Sequence, residues 1–150
     1  MMRRESFDEG IRVMAAVAVL RRGKILLIRE REEPYRGLWV LPQGYVKRGE
    51  TVSEAARREV REEIGVGDVQ LEGLVGVYDD LVRVGSQEGL VHCVIVCYLG
   101  RITGSTEPRS TVEAIDSAWV DPKADLPQRP AVVRKMMADI ENVARRRRRW

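Results

Sequence analysis

Three glutamates crowd one short stretch of the chain, Glu59, Glu62 and Glu63. Upstream, Thr51 followed by Glu54 reads as a capping box, and Gly65 supplies the left-handed residue that ends a helix, so the segment is expected to be helical over about residues 52–64. Residues three and four apart are neighbours on a helix, so Glu59 faces both Glu62 and Glu63, and each like-charge pair costs roughly 0.2–0.5 kcal/mol. Glu62 and Glu63 also fall in the last turn, where the negative end of the helix dipole disfavours acids by roughly 0.3–1 kcal/mol each. The plain alternative is a solvated face laced with ion pairs, since Arg57, Arg58 and Arg61 are interleaved and Glu54–Arg58 and Arg58–Glu62 are favourable pairs. A divalent cation held by the carboxylates would reverse both penalties, and it would suit chemistry on an anionic phosphate.

The spacing extends well beyond the glutamates. Gly44, Glu50, Arg58-Glu59, the aliphatic Val60, Glu62-Glu63, Gly65 and the aliphatic Val66 match the signature of the Nudix hydrolases at every defined position. The lead-in Leu38-Trp39-Val40-Leu41-Pro42-Gln43-Gly44 resembles that family too, with Gln43 where many members carry a second glycine. Glu113 followed by Trp119-Val120 is similar to the family's late acidic residue and strand. The resemblance implies that Glu59 and Glu63 bind Mg²⁺ or Mn²⁺, and that Glu62 joins them or handles the attacking water. It further implies that Arg58 orients the carboxylates, and that Glu50 supports the site or binds a further ion. Glu113 is expected to complete the site as a fourth carboxylate or as the base. The implied reaction is metal-dependent hydrolysis of the phosphoanhydride of a nucleoside diphosphate linked to another moiety. Val75 to Tyr78, the region around His92 and Glu113 look like ADP-ribose pyrophosphatases, although Leu81 and Val82 stand where that subgroup often has proline. ADP-ribose or a related nucleotide sugar is therefore favoured ahead of dinucleoside polyphosphates and nucleoside triphosphates.

Other classes stay open on the residues alone. Gly44 to Thr51 is one residue away from a glycine-rich nucleotide loop, but Glu50 occupies the lysine position, where a carboxylate would repel the phosphates. A noncatalytic nucleotide-sensing module would be expected to lose box glutamates, and none is missing. Arg145 to Arg149 could bind RNA with a steep salt dependence, but only Trp150 offers an aromatic there; the reading adopted is a solvated Arg-rich tail, residues 145–150. Without those five arginines the formal charge of +3 turns negative.

The rest of the chain must position the site. Its 150 residues suit one domain, residues 1–144, of a size that buries roughly 68–70% of its unfolded surface. No run of eighteen apolar residues and no secretory leader is visible, so a cytoplasmic protein without membrane contact is expected. A small nucleotide is the expected partner, and a homodimer is compatible with this reading. Strands are expected at Arg12–Leu20 and Lys24–Arg29, with Arg21-Arg22-Gly23 as the hairpin between them, and then at Val69–Val84 with interruptions, Leu90–Leu99 and Ser117–Val120. Pro127 and Pro130 introduce a second helix over Ala131 to about Arg145. Mixed strands with helices on their faces suggest an α/β/α sandwich, the Nudix type of fold.

Cys93 and Cys97 lie about 13 Å apart along one buried strand, too far for a disulfide, and His92 beside them has no partner acid in sequence. Recognition is assigned to three loops: Glu30 to Gly37, Asp79 to Gly89 and Gly100 to Arg109. Arg29, Arg31 and Arg36 are candidates to hold phosphates, Trp39, Tyr35 and Tyr78 to stack on a base, and Gly44 to admit substrate closely.

Overall fold

In the computed structural model, which describes residues 10–84, 89–124 and 128–147, strand β1 (Ile11–Arg21) belongs to three ladders. Over Ile11 to Val19 it runs parallel to β6 (Gly89–Ile102), and on its other edge Met14 to Ala16 pair antiparallel with the short strand β4 (Gln43–Tyr45). At its far end Leu20 and Arg21 pair with β2 (Lys24–Glu30) through the expected hairpin, whose turn residues Arg22 and Gly23 both take positive φ, 51° and 75°. A central parallel strand is covered on both faces, which is why Met14 to Leu20 are all buried and read as one continuous apolar run.

The remaining strands extend this core outward. β2 also pairs antiparallel with β3 (Trp39–Val40) and with β7 (Ala114–Val120), and β5 (Val69–Val84) pairs antiparallel with β6. The resulting order is β3-β2-β1-β6-β5, with β4 added to β1 and β7 to β2. Helix α1 (Val52–Ile64) packs on β1 and β4, and helix α2 (Ala131–Arg146) packs on β5. The mixed sheet and its two helices form the α/β/α arrangement expected from the sequence.

Differences from the sequence reading have local causes. The interruptions expected in β5 are two register shifts, between Leu71 and Gly73 and between Leu74 and Gly76, where the strand bulges without ending. Strands β3 and β4 escaped notice because two- and three-residue ladders leave no periodicity to read. Asp79 to Val84 and Gly89, assigned to a recognition loop, are instead paired residues of β5 and β6; residues 85–88 between them lie outside the described residues. Gly100 to Ile102 likewise continue β6. Pro127 lies outside the described residues, and Pro130 is the N-cap of α2. Cys93 and Cys97 are buried free thiols on β6. His92 does have an acidic partner, Asp79 Oδ1 at 2.8 Å, supplied across the β5–β6 pair where sequence distance hides it.

At the chain's basic end, Arg145 and Arg146 lie within α2, and Arg145 pairs with Glu141 at 2.7 Å. Arg147 donates from Nη1 to the carbonyl of Glu72, and its guanidinium fills the space where a side chain on Gly73 (φ +146°) would project. Residues 148–150 lie outside the described residues. No described helix is long and apolar enough to cross a membrane.

Candidate active site

Helix α1 is built to present its last turns at a fixed place. Thr51 Oγ1 accepts from the Glu54 N–H (3.2 Å) while Glu54 Oε2 accepts from the Thr51 N–H (3.1 Å), closing the capping box. At the other end Gly65 adopts φ 69° and its N–H reaches the Arg61 carbonyl. The next orphan carbonyls are taken by a loop ahead of β7: Arg109 N–H donates to Ile64 O and Thr111 N–H to Glu63 O, both at 3.1 Å. The Thr111 hydroxyl donates to Glu62 O and accepts from the Glu113 N–H. The loop that closes the helix end therefore also brings Glu113 to Glu62 and Glu63.

The apolar stripe of α1, Ala56, Val60 and Ile64, turns inward, and Glu63 goes with it to 2% exposure. Its Oε1 accepts from the Gln43 N–H at 2.7 Å. Glu59 lies over Gly44 so closely that a Cβ there would come within 2.2 Å of its carboxylate; any larger residue at 44 would push the carboxylate out of this position. Glu30, at the end of β2, is buried at 7% exposure, and its Oε1 accepts from the backbone N–H groups of Arg31 and Glu32. Burial pushes the Glu30 carboxyl up to about 7, with Glu59 adding to the rise. Burial raises Glu59 as well, against the pull of Arg58, and raises Glu63 well above the ordinary carboxylate range, with Glu30 and Glu59 as the next causes. Three carboxylates from two elements thus resist ionising together.

Arg58 holds the cluster together. Its Nε and Nη2 grip both oxygens of Glu50 (2.7 and 2.9 Å), Nη2 also donates to the Tyr45 carbonyl, and Nη1 donates to Glu59 Oε1 (2.5 Å) and Glu62 Oε2 (3.1 Å). These hydrogen bonds hold the Glu50 carboxyl down at about 2. A cavity of about 560 Å³ opens over the cluster, lined by Glu30, Gly44, Arg58, Glu59, Glu62, Glu63 and Glu113, with Arg12, Tyr45, Lys47 and Arg48 among the residues of its wall.

Seven of the residues singled out in the sequence therefore meet at one place: Gly44, Arg58, Glu59, Glu62, Glu63 and Glu113 in the cavity, with Glu50 behind Arg58. Both Glu50 oxygens are engaged, by Arg58 and by the Lys47 N–H. Of the remaining candidates, Arg29, Arg31, Arg36, Trp39 and Tyr78 do not reach the cavity wall. Arg29 braces the loop after β2 by donating to Gly37 O, Arg36 donates to Arg31 O, and Arg31 is exposed. Trp39 packs against the core beside a backbone bond to Gln128. Tyr78 is buried, its hydroxyl donating to Asp139 Oδ2 of α2 at 2.7 Å. Tyr35 does line the cavity, but its hydroxyl is committed to Asp80 at 2.7 Å. The sequence reading missed Glu30 and Thr111. Glu30 carried one signal, an acid ending an apolar strand shortly before the Nudix-like stretch; Thr111 carried none.

The donor set is oxygen-only and negatively charged, as Mg²⁺ or Mn²⁺ requires. Its buried acids repel one another, and the space over Gly44 is shaped by the Glu59 carboxylate, so the residues present fit such an ion. Among the described residues no three His, Cys, Asp or Glu side chains stand as a finished ligand set. Arg58 Nη1, bonded to both Glu59 and Glu62, is the positive charge the carboxylates share.

Residues 11–140 match the NUDIX domain, and the chain belongs to the Nudix family. It is 33% identical to a MutT NUDIX hydrolase of Burkholderia pseudomallei, whose crystal structure superposes with a TM-score of 0.70 over 88% of this chain and 99% of that one. It is 34% identical over 77% of its length to a human protein named 8-oxo-dGDP phosphatase NUDT18. It is 47% identical over 37% of its length to a protein named ADP-ribose pyrophosphatase from Methanocaldococcus jannaschii. In both curated relatives the match spans about a third of the relative's own length, 33% and 32%.

Proposed function

We propose that this protein hydrolyses, with Mg²⁺ or Mn²⁺, the phosphoanhydride bond of a nucleoside diphosphate linked to a further group. The observation that carries the reading is the convergence of Glu59, Glu62, Glu63, Glu113 and Glu30 on one cavity, with Arg58 bonded to Glu59 and Glu62. Glu59 and Glu63 would hold the cation, with the more exposed Glu62 beside them. When bound, such an ion supplies the positive charge that lets a water approach anionic phosphate oxygens.

The protein's own groups do the rest. Arg58 is anchored by Glu50 on one side and aligns Glu59 and Glu62 on the other. Gln43 fixes Glu63 through its backbone N–H. The water oxygen attacks phosphorus, the bridging P–O bond breaks with its electrons leaving on the departing phosphate, and the water's proton passes to a carboxylate. Glu113 is suited to receive it: its side chain makes no hydrogen bond or ion pair among the described residues, and the Thr111 tether holds it beside the helix end.

ADP-ribose rested on Val75 to Tyr78, the region around His92 and Glu113; Tyr78 turns to Asp139 and does not line the cavity, whereas Glu113 does. Nucleotide sugars, dinucleoside polyphosphates and triphosphates are therefore all carried into the test. A hydrolysis screen across these classes with each cation tests the reading; absence of any metal-dependent turnover would sink it. Glu113→Gln should lower turnover at saturating metal and alter the pH profile if Glu113 is the base, or raise the metal requirement if it is a ligand. An unchanged variant removes Glu113 from both roles.

A further inference from the structure

The cavity has two poles, and only the acidic one enters the mechanism above. Its lining also includes Arg12, Lys47 and Arg48, which line a second cavity of about 370 Å³ together with Ile11, Val13, Tyr45 and Val46. Five residues are common to both linings, so the two cavities adjoin at the three cations. The pairing of Met14 with Tyr45, continued by the Val46 N–H to Val13 carbonyl bond at 2.9 Å, brings Arg12 alongside the Lys47-Arg48 corner. Three like charges at one strand end repel one another. None is in an ion pair among the described residues.

Arg12 is also held in place. Its guanidinium lies 3.8 Å from the centre of the Tyr45 ring, a cation–π contact that leaves its N–H edge free. The Tyr45 hydroxyl is buried, so the ring is fixed with its face under Arg12. A planar guanidinium fixed over a ring, next to two further cations, is suited to hydrogen bonding with phosphate oxygens.

We propose, resting on the reading of the site as a phosphoanhydride hydrolase, that Arg12, Lys47 and Arg48 form an anion subsite for a phosphate beyond the scissile diphosphate. The preferred substrates are then nucleotides with a third phosphate, whether triphosphates or dinucleoside polyphosphates, over those that end in a neutral sugar. A sugar hydroxyl would leave three clustered cations without a counter-charge, whereas a further phosphate neutralises them.

The test compares ADP-ribose, ATP and diadenosine tetraphosphate at saturating Mg²⁺ for the wild type, Arg12→Met, Arg48→Gln and the double variant. In the double variant KM for ATP, for diadenosine tetraphosphate or for both should rise about tenfold with kcat within about twofold, while KM for ADP-ribose holds. The arm that responds identifies which source of the third phosphate the cleft accepts. An equal rise for all three substrates, or no rise for any, overturns the proposal. Titration calorimetry with inorganic tripolyphosphate, without added metal, reads the same subsite independently of turnover: binding should weaken about tenfold in the double variant, and equal binding overturns the proposal. If the wild type hydrolyses none of the three compounds, the hydrolase reading fails while the tripolyphosphate measurement still decides the subsite. Arg48 is exposed and in no ion pair among the described residues, so Arg48→Gln serves alone should Arg12→Met lower the thermal midpoint.

Discussion

Helices α1 and α2 both lay an apolar stripe on the sheet, and they differ in everything else. α1 is fastened at each end, by a reciprocal capping box and by Gly65 with the 109–111 loop, and it carries like charges where its dipole is negative. α2 begins at Pro130 with no side-chain cap and no acid in its first turn, and it ends in Arg145 and Arg146, which its dipole favours. Val133, Met136, Met137, Ile140 and Ala144 are all buried along it. Burial alone suffices for a helix that only packs. A helix that must hold repelling carboxylates in register needs its ends tied.

The largest test of that contrast is Glu63→Gln. The amide oxygen can still accept from the Gln43 N–H, and one buried charge disappears, so the fold should hold or gain stability while metal-dependent turnover falls by orders of magnitude. Near wild-type turnover would take Glu63 out of the metal site. The converse is Ile140→Ala in α2, which should cost about 2–5 kcal/mol of stability and leave kcat of the folded protein unchanged. A loss of kcat at full folding would show that α2 shapes the site.

Next in size is the response to pH. The Glu30 carboxyl, raised to about 7, binds its proton more tightly folded than unfolded, where the ordinary value is 4.5, and Glu59 and Glu63 are raised in the same sense. The metal-free fold is therefore favoured below about 4.5 and loses that advantage as pH rises toward 7. Glu50, held down at about 2, opposes this only in more acidic solution, because its contribution is present above 4.5 and lost as pH falls toward 2. The metal-free thermal midpoint should accordingly rise from about pH 8 to about pH 5.5, by roughly 2–4 °C for each kcal/mol released, and Mg²⁺ should flatten the slope. A flat metal-free profile would mean that the cluster does not resist ionising. The smallest expected effect is Thr51→Ala, about 1 kcal/mol from loss of the cap; urea midpoints of the variant and wild type would measure it, and a negligible change would show that packing alone sets α1.

Both helices, the hairpin and the long strands were legible because each is written in local periodicity and capping residues. The glutamate cluster was legible for the same reason, since one helical turn sets its spacing. What escaped depends on neighbours from elsewhere in the chain. Tyr78 sits on a strand whose parity sends it to Asp139, a partner 61 residues on. Arg29 and Arg36 look like free phosphate ligands until Gly37 and Arg31 carbonyls claim them. Glu30 looked like a loop acid, and only the packing of β2 beside α1 makes it a buried neighbour of Glu59 and Glu63.

The parallel pairing of β1 with β6 joins residues such as Ile11 and His92 that are about eighty positions apart. Closing so long a loop comes before any contact inside it is rewarded, and ladders of high sequence separation form slowly, on the order of milliseconds to seconds. β4 pairs with β1, and α1 packs on both, so the carboxylates lack their final surroundings until that closure is made. During synthesis, the chain must extend past β6 before Glu113 can join the other glutamates around the cavity. A nascent chain stopped before residue 89 would carry the whole glutamate signature and still lack both the β6 partner of β1 and Glu113.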